Sequence, residues 1–236
     1  MQVKKVGIIQ PGKIGDIVIC LPIAKHYYDN GYKVIWPIDK KIINQFKNYI
    51  NYVEFVPCSH NVLDSYNACI SSGCNHIVDI SFCIPGAVNN FNNYLFQTKG
   101  LKFDELKYEI AGVPIETKYN LYINRDEAKE NELYKSLGLE NTDYCVVHSQ
   151  GSDGYKPNID DKIYEGLKVI NISNLTDSIF DWIKVLKEAN IVITIDSCFA
   201  NLCNQLKLKQ KKYFIHRPPP NPPPSITEDW IIYNGH

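Results

Sequence analysis

The sequence predicts an α/β protein built from two Rossmann-like, parallel-sheet units that follow one another along the chain. Three observations carry this. Short apolar runs such as VGIIQ (6–10), HIVDI (76–80) and IVITI (191–195) recur, and each is followed by a loop and then a helix-period segment. The order strand–helix–strand calls for parallel pairing with helices on both faces of the sheet. The rhythm pauses over residues 114–142 and then starts again. At 236 residues, the chain accommodates two domains of about 110–120 residues each. The expected units are residues 1–120 and 121–236, with a ligand cleft between them at the carboxyl ends of the strands.

In the first half, 6–10 reads as a buried strand and the loop PGKIG leads into a helix with Ile17, Leu21, Ala24 and Tyr28 on one face. Asn30 and Gly31 stop it, because both tolerate a left-handed cap. KVIWP (33–37) is a second strand, a helical segment passes through Ile42, Phe46 and Tyr49, and 52–56 is a third strand. A helix near 62–72 precedes the strand at 76–80, and 85–113 reads as mostly helical around the Asn-rich NNFNNY. PIETKYNLYI reads as an extended linker, and RDEAKENELYKSLGL as an amphipathic helix ending at Gly138.

In the second half, 144–148 is a strand followed by the loop SQGSDGYKP, 167–172 a short strand, 178–189 a helix, and 191–195 a buried strand. DSCFANLCNQL is a helix with Phe199, Leu202, Cys203 and Leu206 toward the core, and 212–216 is a last strand. The Pro-rich RPPPNPPPSITEDW fits neither a helix nor a central strand and reads as a stiff strap or a polyproline ligand.

Composition narrows the function classes. A net charge of −1, from 25 Lys and Arg against 26 Asp and Glu, gives no bulk electrostatic reason to bind nucleic acid or an acidic membrane. The longest apolar run, IVICLPIA, is too short to span a bilayer. The eight cysteines form no CxxC and no zinc-finger spacing, and QVKKV leads directly into the first strand without a secretory pattern. Buried thiols in a reducing cytoplasm are expected, with no metal site.

Three motifs can carry chemistry. In GKIGD, Gly12 and Gly15 let the backbone approach a ligand, Lys13 projects from the loop, and Asp16 falls in the first helical turn. The motif lacks the Lys-Ser/Thr of a P-loop and the third glycine of a dinucleotide site, which disfavours an oxidoreductase. Asp16 can accept a proton from a hydroxyl or simply cap the helix. In HSQGSDGYKP, Ser149, Gly151, Ser152 and Lys156 can contact phosphate or can form a solvated loop, and His148 is a candidate ligand contact. In IDSCFANLCNQL, Asp196 and Ser197 stand at a helix N-terminus, where anions are favoured, and Asn201 shares a face with Ser197. Capping alone also explains Asp196 and Ser197. Asp79, at a strand end, fits either a cleft role or a turn cap.

Taken in this order, GKIGDIVICLPIAK, HSQGSDGYK and LTDSIFDWIKVLKEANIVITIDSCFANLCNQL resemble glycosyltransferase family 9, the heptosyltransferase-like enzymes of the GT-B fold, over roughly residues 4–216. The resemblance implies transfer of a sugar from a nucleotide-sugar donor to the hydroxyl of a glycan or other acceptor, with inversion, no essential metal and no cofactor beyond the donor. It implies Asp16 as general base, with Gly12, Lys13 and Gly15 on the acceptor side. It implies Lys156, Asp196, Ser197 and Asn201 as donor-binding residues, joined by Ser149 and Gly151. The family pattern is Asp-Ser/Thr-Gly-x-x-His, whereas Cys198 stands here for the glycine and Asn201 for the histidine. Asparagine hydrogen-bonds but carries no charge. That departure, with the short second half, keeps open a catalytically inactive GT-B relative that only binds a nucleotide or glycan.

Overall fold

The computed structural model describes residues 3–81, 100–151, 154–217 and 225–233. It divides into two compact units, Met1–Asn124 and Arg125–His236.

The first unit carries a four-stranded, wholly parallel sheet in the order β3-β2-β1-β4, from β1 (Lys5–Ile9), β2 (Lys33–Asp39), β3 (Val53–Cys58) and β4 (His76–Asp79). Pro57 lies in β3, an edge strand, where a missing N–H costs no ladder bond. Helix α1 (Ile14–Asp29) buries every residue from Ile17 to Ala24, so it has no solvated stripe along its middle. Pro22 interrupts its ladder there. The Tyr108 hydroxyl donates to the Ile19 carbonyl at 2.9 Å and the Tyr52 hydroxyl to the Leu21 carbonyl at 3.4 Å.

Helix α2 (Val62–Ser71) starts on Asn61, whose side chain accepts the Leu63 N–H. The expected helix through Ile42, Phe46 and Tyr49 is instead a 3₁₀ turn at Ile43–Gln45 followed by turns, although Phe46 and Tyr49 are buried. Ile42, Ile43, Asn44 and Asn48 are weak helix formers, and burial of the two aromatic rings fixes the segment without a helix.

Helix α3 (Phe103–Ala111) ends on Gly112 in the left-handed conformation, and a 3₁₀ turn at Ile115–Tyr119 packs against α1. The expected extended linker thus begins as part of the first core. Lys118 there is fully buried in an ion pair with the equally buried Asp104 of α3. Most of 85–113 expected to be helical, NNFNNY included, lies outside the described residues.

The second unit opens with α4 (Glu127–Ser136), capped by Asp126 through the Lys129 N–H at 3.1 Å. Its five parallel strands run β6-β5-β7-β8-β9, from β5 (Tyr144–His148), β6 (Lys168–Asn171), β7 (Ile191–Ile195), β8 (Lys211–Ile215) and β9 (Trp230–Ile232). A 3₁₀ turn (Ile179–Trp182), started by Ser178, runs into α5 (Ile183–Glu188). Helix α6 (Cys198–Gln205) is buried along its length.

Its polar side is covered by the chain's last described stretch. Asn204 donates to the Ser225 carbonyl at 3.0 Å, and its Oδ1 accepts from the Thr227 N–H and hydroxyl, both at 3.0 Å. The C-terminal segment therefore returns as the edge strand β9. The Pro-rich run itself, 218–224, lies outside the described residues. The described cysteines are all free thiols, and Cys83 lies outside the described residues.

Candidate functional site

In each sheet the strand order reverses once. The first unit runs outward from β1 to β3 and returns to β4 on the other side of β1, so the reversal lies between β1 and β4. The second runs from β5 to β6 and returns to β7, so the reversal lies between β5 and β7. Connections leave such neighbouring strands toward opposite faces, which opens a crevice at their carboxyl ends. GKIGD follows β1, the lysine loop follows β5, and Asp196–Ser197 follows β7.

In the first unit α1 begins at Ile14, so Gly15 and Asp16 belong to its first turn, and both are half-buried. The position capping the helix is Lys13, whose side chain makes no capping bond and whose backbone is left-handed at φ 58°. Asp16 is therefore not the N-cap residue but the third residue of the helix, where the dipole still favours its charge. A Cβ at Gly12 would lie 1.5 Å from Cε1 and 1.8 Å from Nδ1 of His60, so the imidazole rests on the bare backbone of the loop. His60 follows β3, is 58% exposed in its side chain, and has Asp39 Oδ2 at 4.0 Å from Nδ1. The Asp39 N–H donates to the Pro11 carbonyl at 2.7 Å and ties the end of β2 to the same loop. Asp79 Oδ1 accepts from the Ser81 N–H at 3.0 Å and hydroxyl at 2.7 Å, which is a turn cap.

In the second unit the ends of β5 and β7 are joined by His148 Nδ1 and Ser197 Oγ, 3.0 Å apart. Ser197 is the N-cap of α6, and its Oγ accepts the Ala200 N–H at 3.4 Å. Burial lowers the His148 pKa from 6.5 to about 4, so the ring is neutral at pH 7. The Ser197 hydroxyl donates to Nδ1 when the ring proton is on Nε2, and accepts from Nδ1–H in the other tautomer. Phe199 packs against the ring with centroids 5.0 Å apart.

Asp196 stands beside Arg217, which follows β8, with Oδ2 3.5 Å from Nη2. The structure thus gathers His148, Asp196, Ser197 and Arg217 at the carboxyl ends of three adjacent strands. Asn201 is buried one turn along α6. Gly151 commits its N–H to the Tyr155 carbonyl at 2.9 Å, which folds the lysine loop back on itself. Ser149 is half-buried in that loop. Lys156 is exposed and, among the described residues, makes no hydrogen bond or ion pair. Ser152 lies outside the described residues. Burial pushes the Cys198 thiol up to about 12, so it is protonated and acts as a small apolar group.

Sequence reasoning missed His60 and Arg217. Arg217 is one of only two arginines in the chain and directly follows a strand, which is the signal that could have found it. His60 had none, because only the fold brings it onto Gly12. Among the described residues no group of three or more His, Cys, Asp or Glu side chains is placed to hold a metal ion, and no helix is long and apolar enough to cross a membrane.

No protein-family profile and no curated protein sequence matches the chain. Several solved structures do. A glycosyl transferase family 9 protein from Veillonella parvula is similar at a TM-score of 0.64 with 13% identity, covering 99% of this chain and 87% of that one. The dodecameric iron-containing heptosyltransferase TibC in complex with ADP-D-beta-D-heptose is similar at a TM-score of 0.60 with 12% identity, covering 100% of this chain and 64% of that one. TibC from enterotoxigenic E. coli in a second structure gives 0.55 and 12%, covering 91% and 59%. This chain spans less than two thirds of TibC. At such identities the likeness is one of fold: two Rossmann-like parallel-sheet domains with GT-B-like structural neighbours.

Proposed function

We propose that the chain is a glycosyltransferase that takes a sugar from a nucleotide-sugar donor and passes it, with inversion and without a metal, to an acceptor hydroxyl. The observation that carries the reading is the His148–Ser197 contact at the strand-order reversal of the second unit. It brings the start of the lysine loop and the N-terminus of α6 together at the place where α/β sheets hold ligands. Asp16 occupies the corresponding place in the first unit. The fold likeness to glycosyl transferase family 9 and to TibC, solved with ADP-D-beta-D-heptose, supports the same reading.

In this mechanism the acceptor oxygen attacks the anomeric carbon from the face opposite the diphosphate. One displacement inverts that centre. Asp16 takes the proton the acceptor loses. The departing diphosphate gains negative charge, which Lys156, Arg217 and the first amides of α6 stabilise, with Ser149 and Gly151 lining the lysine loop. Asp196 orients Arg217, whose planar guanidinium suits paired phosphate oxygens. Asn201 and Ser197 hold the helix end against which the donor rests. Gly12, Lys13 and Gly15 form the acceptor side.

A second reading is an inactive relative that binds a nucleotide or glycan. The uncharged Asn201 favours it, because it does not supply the charge of the family's histidine.

A thermal-shift series with nucleoside diphosphates and nucleotide-sugars, ADP-heptose among them, tests the site. The right donor at a hundredfold excess over its Kd stabilises the protein by about 2.7 kcal/mol. Lys156→Ala and Arg217→Ala reduce that shift. If no nucleotide or nucleotide-sugar stabilises the wild type, the reading fails. Donor stabilisation without turnover selects the inactive relative.

A further inference from the structure

Lys107 is buried to 1% exposure on α3, between Leu106 and Tyr108 in the core of the first unit. A buried ammonium is costly unless its donors are satisfied, and a methionine would fill the same volume without that cost. The structure shows what the charge does there. Lys107 Nζ donates to Gln10 Oε1 at 2.7 Å and to the Ile80 carbonyl at 2.8 Å, with the Phe103 ring centroid 4.6 Å away. Ile80 and Gln10 directly follow β4 and β1, so the ammonium sits at the strand-order reversal of the first sheet.

Gln10 passes the restraint on. Its Nε2 donates to the Gly12 carbonyl at 3.1 Å, and its own carbonyl accepts from Trp36 Nε1 at 3.0 Å. The next residue, Lys13, holds a left-handed backbone (φ 58°, ψ 125°) that a non-glycine residue keeps only when its surroundings impose it. Asp16 follows within one helical turn.

We infer that Lys107 is a positioning residue: through Gln10 it clamps the strained loop 10–13 from beneath and so fixes where the Asp16 carboxylate stands. Only the kinetic part of this inference rests on the proposed transferase reading. A clamp of this kind acts on turnover rather than on donor affinity, because the donor-binding residues belong to the other unit.

The test uses the full chain with Lys107→Met and Gln10→Glu. The first removes the charge at nearly constant volume. The second keeps an acceptor for Lys107 and removes the donor to Gly12. Amide hydrogen exchange over residues 11–17 is compared with exchange over 191–205 in the second unit. Both variants are expected to speed exchange over 11–17 by roughly tenfold while leaving 191–205 unchanged. Turnover of the nucleotide-sugar found by the thermal-shift series should fall by roughly tenfold to a hundredfold, with donor KM unchanged. Should Lys107→Met not fold, Gln10→Glu decides. Wild-type exchange over 11–17 in a folded variant overturns the inference, as does a raised donor KM with unchanged kcat. A wild type that turns over no nucleotide-sugar counts against the transferase reading alone, and the exchange measurement still decides the role of Lys107.

Discussion

His148 Nδ1 lies 3.0 Å from Ser197 Oγ, which joins the last residue of β5 to the N-cap of the helix after β7. Burial keeps the imidazole neutral, lowering the His148 pKa from 6.5 to about 4. The unfolded chain therefore takes up a proton at this position as pH falls below about 6.5, while the folded protein does so only near pH 4. Stability that is fully present above pH 6.5 is lost across that window, on the order of 3 kcal/mol from this group. Urea unfolding of wild type and His148→Asn between pH 4 and 7.5 checks it. The stability difference between the two proteins should shift against the wild type as pH falls; a constant difference would show that His148 is not held neutral.

Ser197→Ala removes both the cap and the histidine contact. Loss of the cap alone costs about 1 kcal/mol in thermal unfolding at pH 7. The same variant should weaken binding of the stabilising nucleotide, because the N-terminus of α6 loses its anchor to β5. Full stability and full affinity in Ser197→Ala would separate this contact from the site.

Gly12→Ala places a methyl group where the His60 ring now lies. The ring is largely exposed and can swing away, so the stability cost should stay below about 1 kcal/mol. The His60 ring resonances in an NMR spectrum should move to those of a free histidine. Unmoved resonances would mean that the ring does not rest on the loop in solution.

The buried pair of Lys118 and Asp104 fastens the 3₁₀ turn at Ile115–Tyr119 to α3. Burial pulls the Lys118 pKa down and the Asp104 carboxylate opposes that shift. Lys118→Met leaves a carboxylate without its cation and should cost about 3–5 kcal/mol, whereas Lys118→Met with Asp104→Leu should recover most of it. Urea midpoints of the three proteins decide.

Much of the architecture is legible in the sequence, because the apolar runs at 6–10, 76–80, 144–148 and 191–195 are separated by loops and helix-period segments. Both sheets and the helices at 62–71, 127–136 and 198–205 follow from that pattern. What it does not show depends on contacts between distant residues. Ile43–Gln45 is a 3₁₀ turn because burial of Phe46 and Tyr49, not helix propensity, fixes the segment. Trp230–Ile232 becomes an edge strand because Asn204 draws in Ser225 and Thr227. The motif positions of Asp16, His148, Asp196 and Ser197 are visible by spacing from the strands. Arg217 shares that signal, as it follows the expected strand at 212–216, whereas Lys107 and His60 come from elements that only the fold brings to their loop.

In the proposed reaction Asp16 takes the acceptor's proton while the second unit binds the donor. Wild type and Asp16→Asn, compared for donor affinity and for nucleoside diphosphate release from the stabilising nucleotide-sugar, put that role to the test. The expected result is unchanged donor affinity with release slowed by about a hundredfold or more. Equal release by the two proteins would contradict the assignment of Asp16.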